Sequence, residues 1–477
     1  MPAEQFDMEA FRDALKDLID ADSPDEMAAA VANHPILLIE EADAVFENLI
    51  NAAKTQGDEN RAKGLEGLRE MLKMLREALA EQHGVSPFLA DIQQAKAAEE
   101  HYLQGGGIQA LDEAIAAWER ILQHRDFADA DEDLRLMVLN NSAGIYLRRY
   151  WASGDMKDLD RAKSGWQKAV SLRPENSPGL PSILNNLGNG LMSRYARSGA
   201  LPDLEEGIAA YQKAVSLTPE NSPDLPSILN NLGSGLTDRY ARSGALADLE
   251  EGIAAYRKAL SLTPENSPDL PSILNNLGSG LSNRYTRSGA LADLEESIAA
   301  YRKALSFIPE NSPDLPGFLN NLGNSLSNRY ARSGALADLE ESIAAYRKAV
   351  YLNPENSPHL PMYLNNLGNG LSNRYARNGD LSDLEEGIAA CQKAVSLTPE
   401  NSPDLASILS NLGTGLIDRY ARSRDLSDLE AGIAAFQKSV SLTSENSPHL
   451  PSRLKNLRNA LRKQHIHTEE DGLCKIY

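Results

Sequence analysis

Through the repeating part of the chain, apolar residues fall on one face of a helix, then do so again after a short break. Leu184, Leu187, Gly188, Leu191 and Tyr195 step by three, one, three and four. Leu201, Leu204, Ile208, Tyr211 and Val215 step by three, four, three and four. Both series predict amphipathic helices. Between them, "ARSGA" places Gly199 where a left-handed helix stop is needed. After the second series, "TPENSPDLP" blocks continuation at Pro219 and offers Ser222, Pro223 and Asp224 as the cap and first turn of the next helix. No strand-like alternation accompanies these series, so the expected class is all-α.

The two-helix pattern recurs. The block N-N-L-G starts at Asn185, Asn230, Asn275, Asn320 and Asn365, each 45 residues after the last. The same register runs back to Asn140 and on to Ser410 and Lys455, which makes seven full units and one terminal half unit. A fixed period of this kind predicts an α-solenoid, in which each unit buries its core against its neighbours.

At this point the residues resemble the tetratricopeptide repeat (TPR). That signature has a large apolar residue, L-G and a second large residue on the first helix. A small residue, an aromatic, an alanine and a following proline come from the second. Leu184, Leu187, Gly188, Leu191, Gly207, Tyr211, Ala214 and Pro219 match it in one unit. Small residues let the helices approach, and the aromatic fills the space between units. The departures are a period of 45 against the usual 34 and leucine where the signature has tryptophan. The resemblance implies a right-handed superhelix of tandem helix-turn-helix repeats. The long unit is also similar to arrays that precede a CHAT domain, a caspase-like peptidase, and residues 1–88 resemble the helical leader of such proteins. No CHAT domain is expected within these 477 residues.

The expected organisation is therefore an N-terminal acidic helical leader domain at 1–88 and a degenerate unit at 89–128, with Trp118 at the aromatic position. Tandem 45-residue repeats follow at 129–445, then a capping helix at 446–465 and a disordered tail at 466–477. Lys455 and Arg458 replace Asn and Gly in the last helix and predict a solvated outer face. The other reading of Arg453, Lys455, Arg458, Arg462 and Lys463 is a basic docking site.

Charge and composition narrow the chemistry. The net charge is −21, and residues 1–100 carry 22 acids against 9 bases. Such a surface repels phosphate backbones, so no nucleic-acid partner is expected. Cys391 and Cys474 form no disulfide framework, and His465, His467 and Cys474 are a weak metal set, so no metal and no cofactor are expected. The N-terminus lacks a signal peptide, and no apolar run reaches the ~18 residues of a membrane span. A soluble, cytoplasmic protein without a membrane partner is the expectation. No catalytic motif is present, so no enzyme is expected; His34 and His83 are the leader's two histidines. The "GNG" at Gly188–Gly190 lies inside a helical stripe, where a phosphate loop would need free N–H groups at a helix start. The Glu205-Glu206 pair and its counterparts suit the second helix's N-terminal dipole, and Arg194 and its counterparts are expected to pair with them at the surface.

Recognition is left to the first helices, which by the resemblance line a concave groove. Aligned positions there are Asn185, Asn189, Asn230, Ser234, Asp238, Asn275, Ser279, Asn283, Asn320, Asn324, Asn328, Asn365, Asn369 and Asn373. These donors and acceptors suit an extended peptide backbone. Asn186 and its counterparts read instead as bridges within the array. Replacing Asn230, Asn275 and Asn320 with alanine is expected to weaken partner capture and leave melting intact. The expected function is a non-enzymatic protein-interaction scaffold for a peptide or protein. The alternative is a sensor or adaptor for a separately encoded effector protein, such as a CHAT-type peptidase acting in trans.

Overall fold

Helix starts and stops fall where the turn residues sit. The computed structural model describes residues 8–19, 31, 34, 37, 40–55, 57–83, 88–173, 177 and 179–474. Among these it is all-α, with twenty helices, and it divides into two compact units, residues 1–199 and 200–477.

In the first unit, α1 (Met8–Ile19), α2 (Glu40–Thr55) and α3 (Glu59–His83) form the leader. Their apolar faces meet in one core around Phe11, Leu18, Phe46, Ile50, Leu65 and Leu72, with Phe11 edge-on to Phe46. The His83 side chain lies outside the described residues. The degenerate unit is the pair α4 (Leu89–Leu103) and α5 (Ile108–Gln123), which buries Trp118. Next come α6 (Glu132–Ser153), α7 (Met156–Leu172) and α8 (Leu180–Ser198).

The second unit opens on α9 (Leu201–Leu217). Five pairs follow: α10 (Leu225–Ser243) with α11 (Leu246–Leu262), α12 (Leu270–Ser288) with α13 (Leu291–Phe307), α14 (Leu315–Ser333) with α15 (Leu336–Leu352), α16 (Leu360–Asn378) with α17 (Leu381–Leu397), and α18 (Leu405–Ser423) with α19 (Leu426–Ser441). The last helix is α20 (Leu450–Cys474). It is helical beyond residue 465, where the sequence pattern places the start of a disordered tail. In each pair the first-type helix stops on a left-handed residue whose N–H caps a tyrosine carbonyl, as Gly289 does with Tyr285 at 2.7 Å. Arg424 holds this conformation in α18 without being glycine. Before the next first-type helix, the Asp224 N–H donates to Ser222 Oγ and the Leu225 N–H to the Ser222 carbonyl, the turn anticipated from S-P-D.

The core is a row of clusters rather than one centre. Leu249, Ile253 and Tyr256 of α11 pack with Leu277 and Leu281 of α12, and Leu225 and Leu229 of α10 with Ala255, Ala259 and Ile273. Each cluster thus joins one helix pair to the first helix of the next, which is why isolated units of this type are not self-sufficient. The approach is close: a Cβ on Gly233 would stand 2.6 Å from the Tyr256 ring.

Candidate partner-binding groove

Three polar rows run along the first-type helices, and the structure gives each a different job. The first row is Asn185, Asn230, Asn275, Asn320 and Asn365. These side chains are half-buried, and Asn320 is only 2% exposed. The amide oxygens of Asn230, Asn275, Asn320 and Asn365 accept from the second asparagine of the following repeat. Asn276 Nδ2 reaches Asn230 Oδ1 at 3.0 Å, Asn321 reaches Asn275 at 3.0 Å, Asn366 reaches Asn320 at 2.8 Å, and Asn411 reaches Asn365 at 2.9 Å. In the first unit Asn186 does the same to Asn140, which also accepts from Trp166 Nε1. A ladder of amides therefore ties neighbouring repeats together.

The second row is Asn189, Ser234, Ser279, Asn324 and Asn369. It receives the hydroxyl of the second helix's aromatic. Tyr256 Oη donates to Ser234 Oγ at 3.2 Å, Tyr301 Oη meets Ser279 Oγ at 2.9 Å, and Tyr346 Oη donates to Asn324 Oδ1 at 2.8 Å. Burial raises these phenols, Tyr301 to about 12, so they stay protonated donors. Asn369 has no such neighbour, because buried Cys391 stands in the aromatic position, and Asn369 is exposed.

The third row is Asp238, Asn283, Asn328, Asn373 and Asp418, exposed or half-exposed throughout. The two aspartates close it at its ends. Although Asp238 reaches solvent, neighbours shield its carboxyl from water, and burial raises both carboxyls above the usual carboxylate range. The accessible polar surface thus lies mainly on the third row and on Asn369.

In the second unit the arginine of each R-Y pair has a different principal partner from the one expected. Arg284 Nε and Nη2 fork onto Oδ2 and Oδ1 of Asp293 at 2.9 and 2.6 Å. The same fork joins Arg239 to Asp248, Arg329 to Asp338, Arg374 to Asp383 and Arg419 to Asp428. The aspartates are buried, and the Arg374 fork holds the Asp383 carboxyl below its ordinary range. Each fork clamps a first-type helix to its own second-type helix. The glutamates have lesser parts: Glu250 meets Arg284 Nη1 at 3.4 Å, and Glu296 takes Arg257 of the preceding repeat at 2.8 Å. The missed signal was the aspartate nine residues after each arginine, in the first turn beside a short loop.

Gly188 and Gly190 are buried within α8, away from any helix start. No cluster of His, Cys, Asp and Glu suited to a metal occurs among the described residues. His467 contacts Tyr420 Oη at 3.1 Å, and the Cys474 side chain lies outside the description. No helix among the described residues is long and apolar enough to cross a membrane.

The sequence model of the tetratricopeptide repeat family matches residues 182–224, 227–269, 272–314, 318–350 and 362–404. The units from 182 to 404 are tetratricopeptide repeats. TPR arrays are protein-interaction scaffolds, and the five matched segments hold every residue of the first two rows and all of the third but Asp418. Among solved structures, YrrB, described as a TPR protein with an unusual peptide-binding site, is 18% identical; the alignment covers 52% of this chain and all of that one, with TM-score 0.33. The C-terminal part of a TPR protein from Cytophaga hutchinsonii is 13% identical over 69% of this chain and 99% of its own, with TM-score 0.40. Human IFIT1, solved as a dimer with PPP-AAAA, is 14% identical over 97% and 95%, with TM-score 0.45. No curated protein matches this TPR chain.

Proposed function

We propose that this protein is a non-enzymatic cytoplasmic scaffold whose face of first-type helices holds an extended segment of a protein partner. The observation that carries this reading is the third row. Asn283, Asn328 and Asn373 recur at 45-residue spacing and reach solvent, whereas the first row's amide oxygens are turned to the ladder. Each side chain offers a donor and an acceptor, which suits main-chain recognition without a demand for one side-chain sequence. The three rows contain no lysine or arginine, so a terminal carboxylate is not their natural ligand.

The test is affinity capture with mass spectrometry on the full chain and on its Asn283/Asn328/Asn373→Ala variant. The variant should keep its melting temperature and lose its partner. Retention of the same partners at the same yield rejects the groove assignment. Recovery of a caspase-like peptidase would turn the scaffold into an effector's adaptor, the role implied by the resemblance of the long repeat.

A further inference from the structure

Helix α20 is a first-type helix on which no second-type helix packs among the described residues. Its inner face is conventional: Ala460 is buried beside Phe436 and Ile433 of α19, and Leu457 packs against the same cluster. The other face is not. Repeat register places Leu454 and Leu461 where α16 has Leu364 and Leu371, which are 5% and 0% exposed: Leu364 packs on Ala390 and Ala394 of the following second-type helix, and Leu371 packs with Leu339 and Ile343 of the preceding one and lies beside Gly387 of the following one. In α20 the two leucines are 46% and 40% exposed, and Ile466 extends the stripe at 52%. With Leu457, Arg458 and Arg462 they line an open trough of about 530 Å³. The solvated outer face expected of a cap is only half present.

The charges on this face select what can cover it. Arg458 stands where α18 has Gly413, which receives the Phe436 ring, so the ring of an ordinary second-type helix has no seat here. Gln464 stands where α18 has Arg419, so the fork onto a buried aspartate is also missing. Exposed Arg458 and Arg462 instead border the leucines, with no carboxylate partner among the described residues. A second copy of α20 laid on this face would set Arg458 and Arg462 against their own kind. The acidic helices α1 and α2 of the leader bury their apolar faces in the leader core. What fits is a helix with an apolar stripe flanked by carboxylates.

We propose that α20 is a docking site for an acidic amphipathic helix of a partner protein, laid on Leu454, Leu461 and Ile466 in the place that a second-type helix takes in the earlier repeats. Its carboxylates pair with Arg458 and Arg462 at the rim of the trough. This surface is separate from the groove rows, so a single chain can hold two protein segments.

The test uses the full chain and a fluorescein-labelled peptide of three LEELLEE heptads, read by fluorescence anisotropy at low salt. Saturable binding is expected. Leu461→Ser and the pair Arg458→Glu/Arg462→Glu should each weaken it at least tenfold with the helical circular dichroism unchanged. The Asn283/Asn328/Asn373→Ala variant should bind as the wild type does. A peptide with every glutamate changed to lysine should not bind. Equal binding to wild type and both α20 variants, or equal binding of the acidic and basic peptides, overturns the proposal. So does a dimer in sedimentation that Leu461→Ser dissociates, because a second copy then covers the face. Should Leu461→Ser fail to fold, the exposed arginine pair alone decides.

Discussion

A carboxylate buried under a forked guanidinium is the costliest side chain to disturb here. Asp383→Asn keeps the volume and loses the charge-assisted bonds from Arg374, so about 2 kcal/mol of stability should go. Glu250→Gln, at an exposed contact, should cost less than about 1 kcal/mol. Urea unfolding of the two variants checks the ranking. Because the Asp383 carboxyl is held below its unfolded value, its contribution is whole above pH of about 4 and fades as acid protonates the folded form. The gap between wild type and Asp383→Asn should therefore close in acid. Cys391 is a second residue-scale case. Burial pushes its thiol up to about 12, so in a Cys474→Ser chain a thiol reagent should label it only on unfolding. Cys391→Tyr should restore a ring beside Gly368 and a hydroxyl toward Asn369, as Tyr346 does with Gly323 and Asn324, and raise the unfolding free energy by about 1 kcal/mol. Sequence alone places Cys391 in the aromatic register of its repeat. It misassigned the arginines, because helix periodicity reports faces and not which of three nearby acids a guanidinium reaches.

Among elements, helix termini and interhelical amides carry separable contributions. Arg424 stands at the left-handed stop where the preceding repeats use glycine, a conformation that costs an L-residue about 1 kcal/mol. Arg424→Gly should raise the thermal midpoint, less whatever its guanidinium gains over the Tyr420 ring; calorimetry reads the net sign. The amide ladder predicts the opposite. Asn321→Ala and Asn366→Ala should each cost about 1 kcal/mol, whereas Asn328→Ala should leave melting unchanged. By the same contacts, alanine at Asn230, Asn275 and Asn320 should lower the melting point, against the expectation from sequence. The paired helices of each repeat and their order were legible, since glycine stops and the S-P-D turns are local signals. The ladder was half legible. A lone repeat shows two adjacent amides, and only a neighbouring repeat supplies the acceptor for the second.

For the whole molecule, the 45-residue period accounts for the organisation of the second unit, where each cluster joins consecutive helices and nothing farther along the chain. Excising residues 270–314 should therefore leave a folded protein with the ladder rejoined, Asn321 then meeting Asn230, and a modestly lower midpoint. Circular dichroism and chemical unfolding of the shortened chain check this. The solenoid was readable because the period is long, constant and many times repeated. The open face of α20 was not, because basic substitutions look like a solvated cap until the exposure of Leu454 and Leu461 is seen.

Near-identical interfaces carry a kinetic hazard for the folding chain. If α14 docks on α11 in place of α12, it finds leucines, glycines and an amide acceptor at the same positions, and one helix pair is left looped out. Such slipped forms lose one interface and a loop-closure term that grows slowly with length, so they are shallow traps on the way to the native order. The odd residues of the array oppose them. The Ser297 and Ser325 hydroxyls meet at 3.2 Å in the buried space between α13 and α14, a contact that docking on Gly252 of α11 would forfeit. Irregularity here acts as an address, telling each helix pair which neighbour is its own.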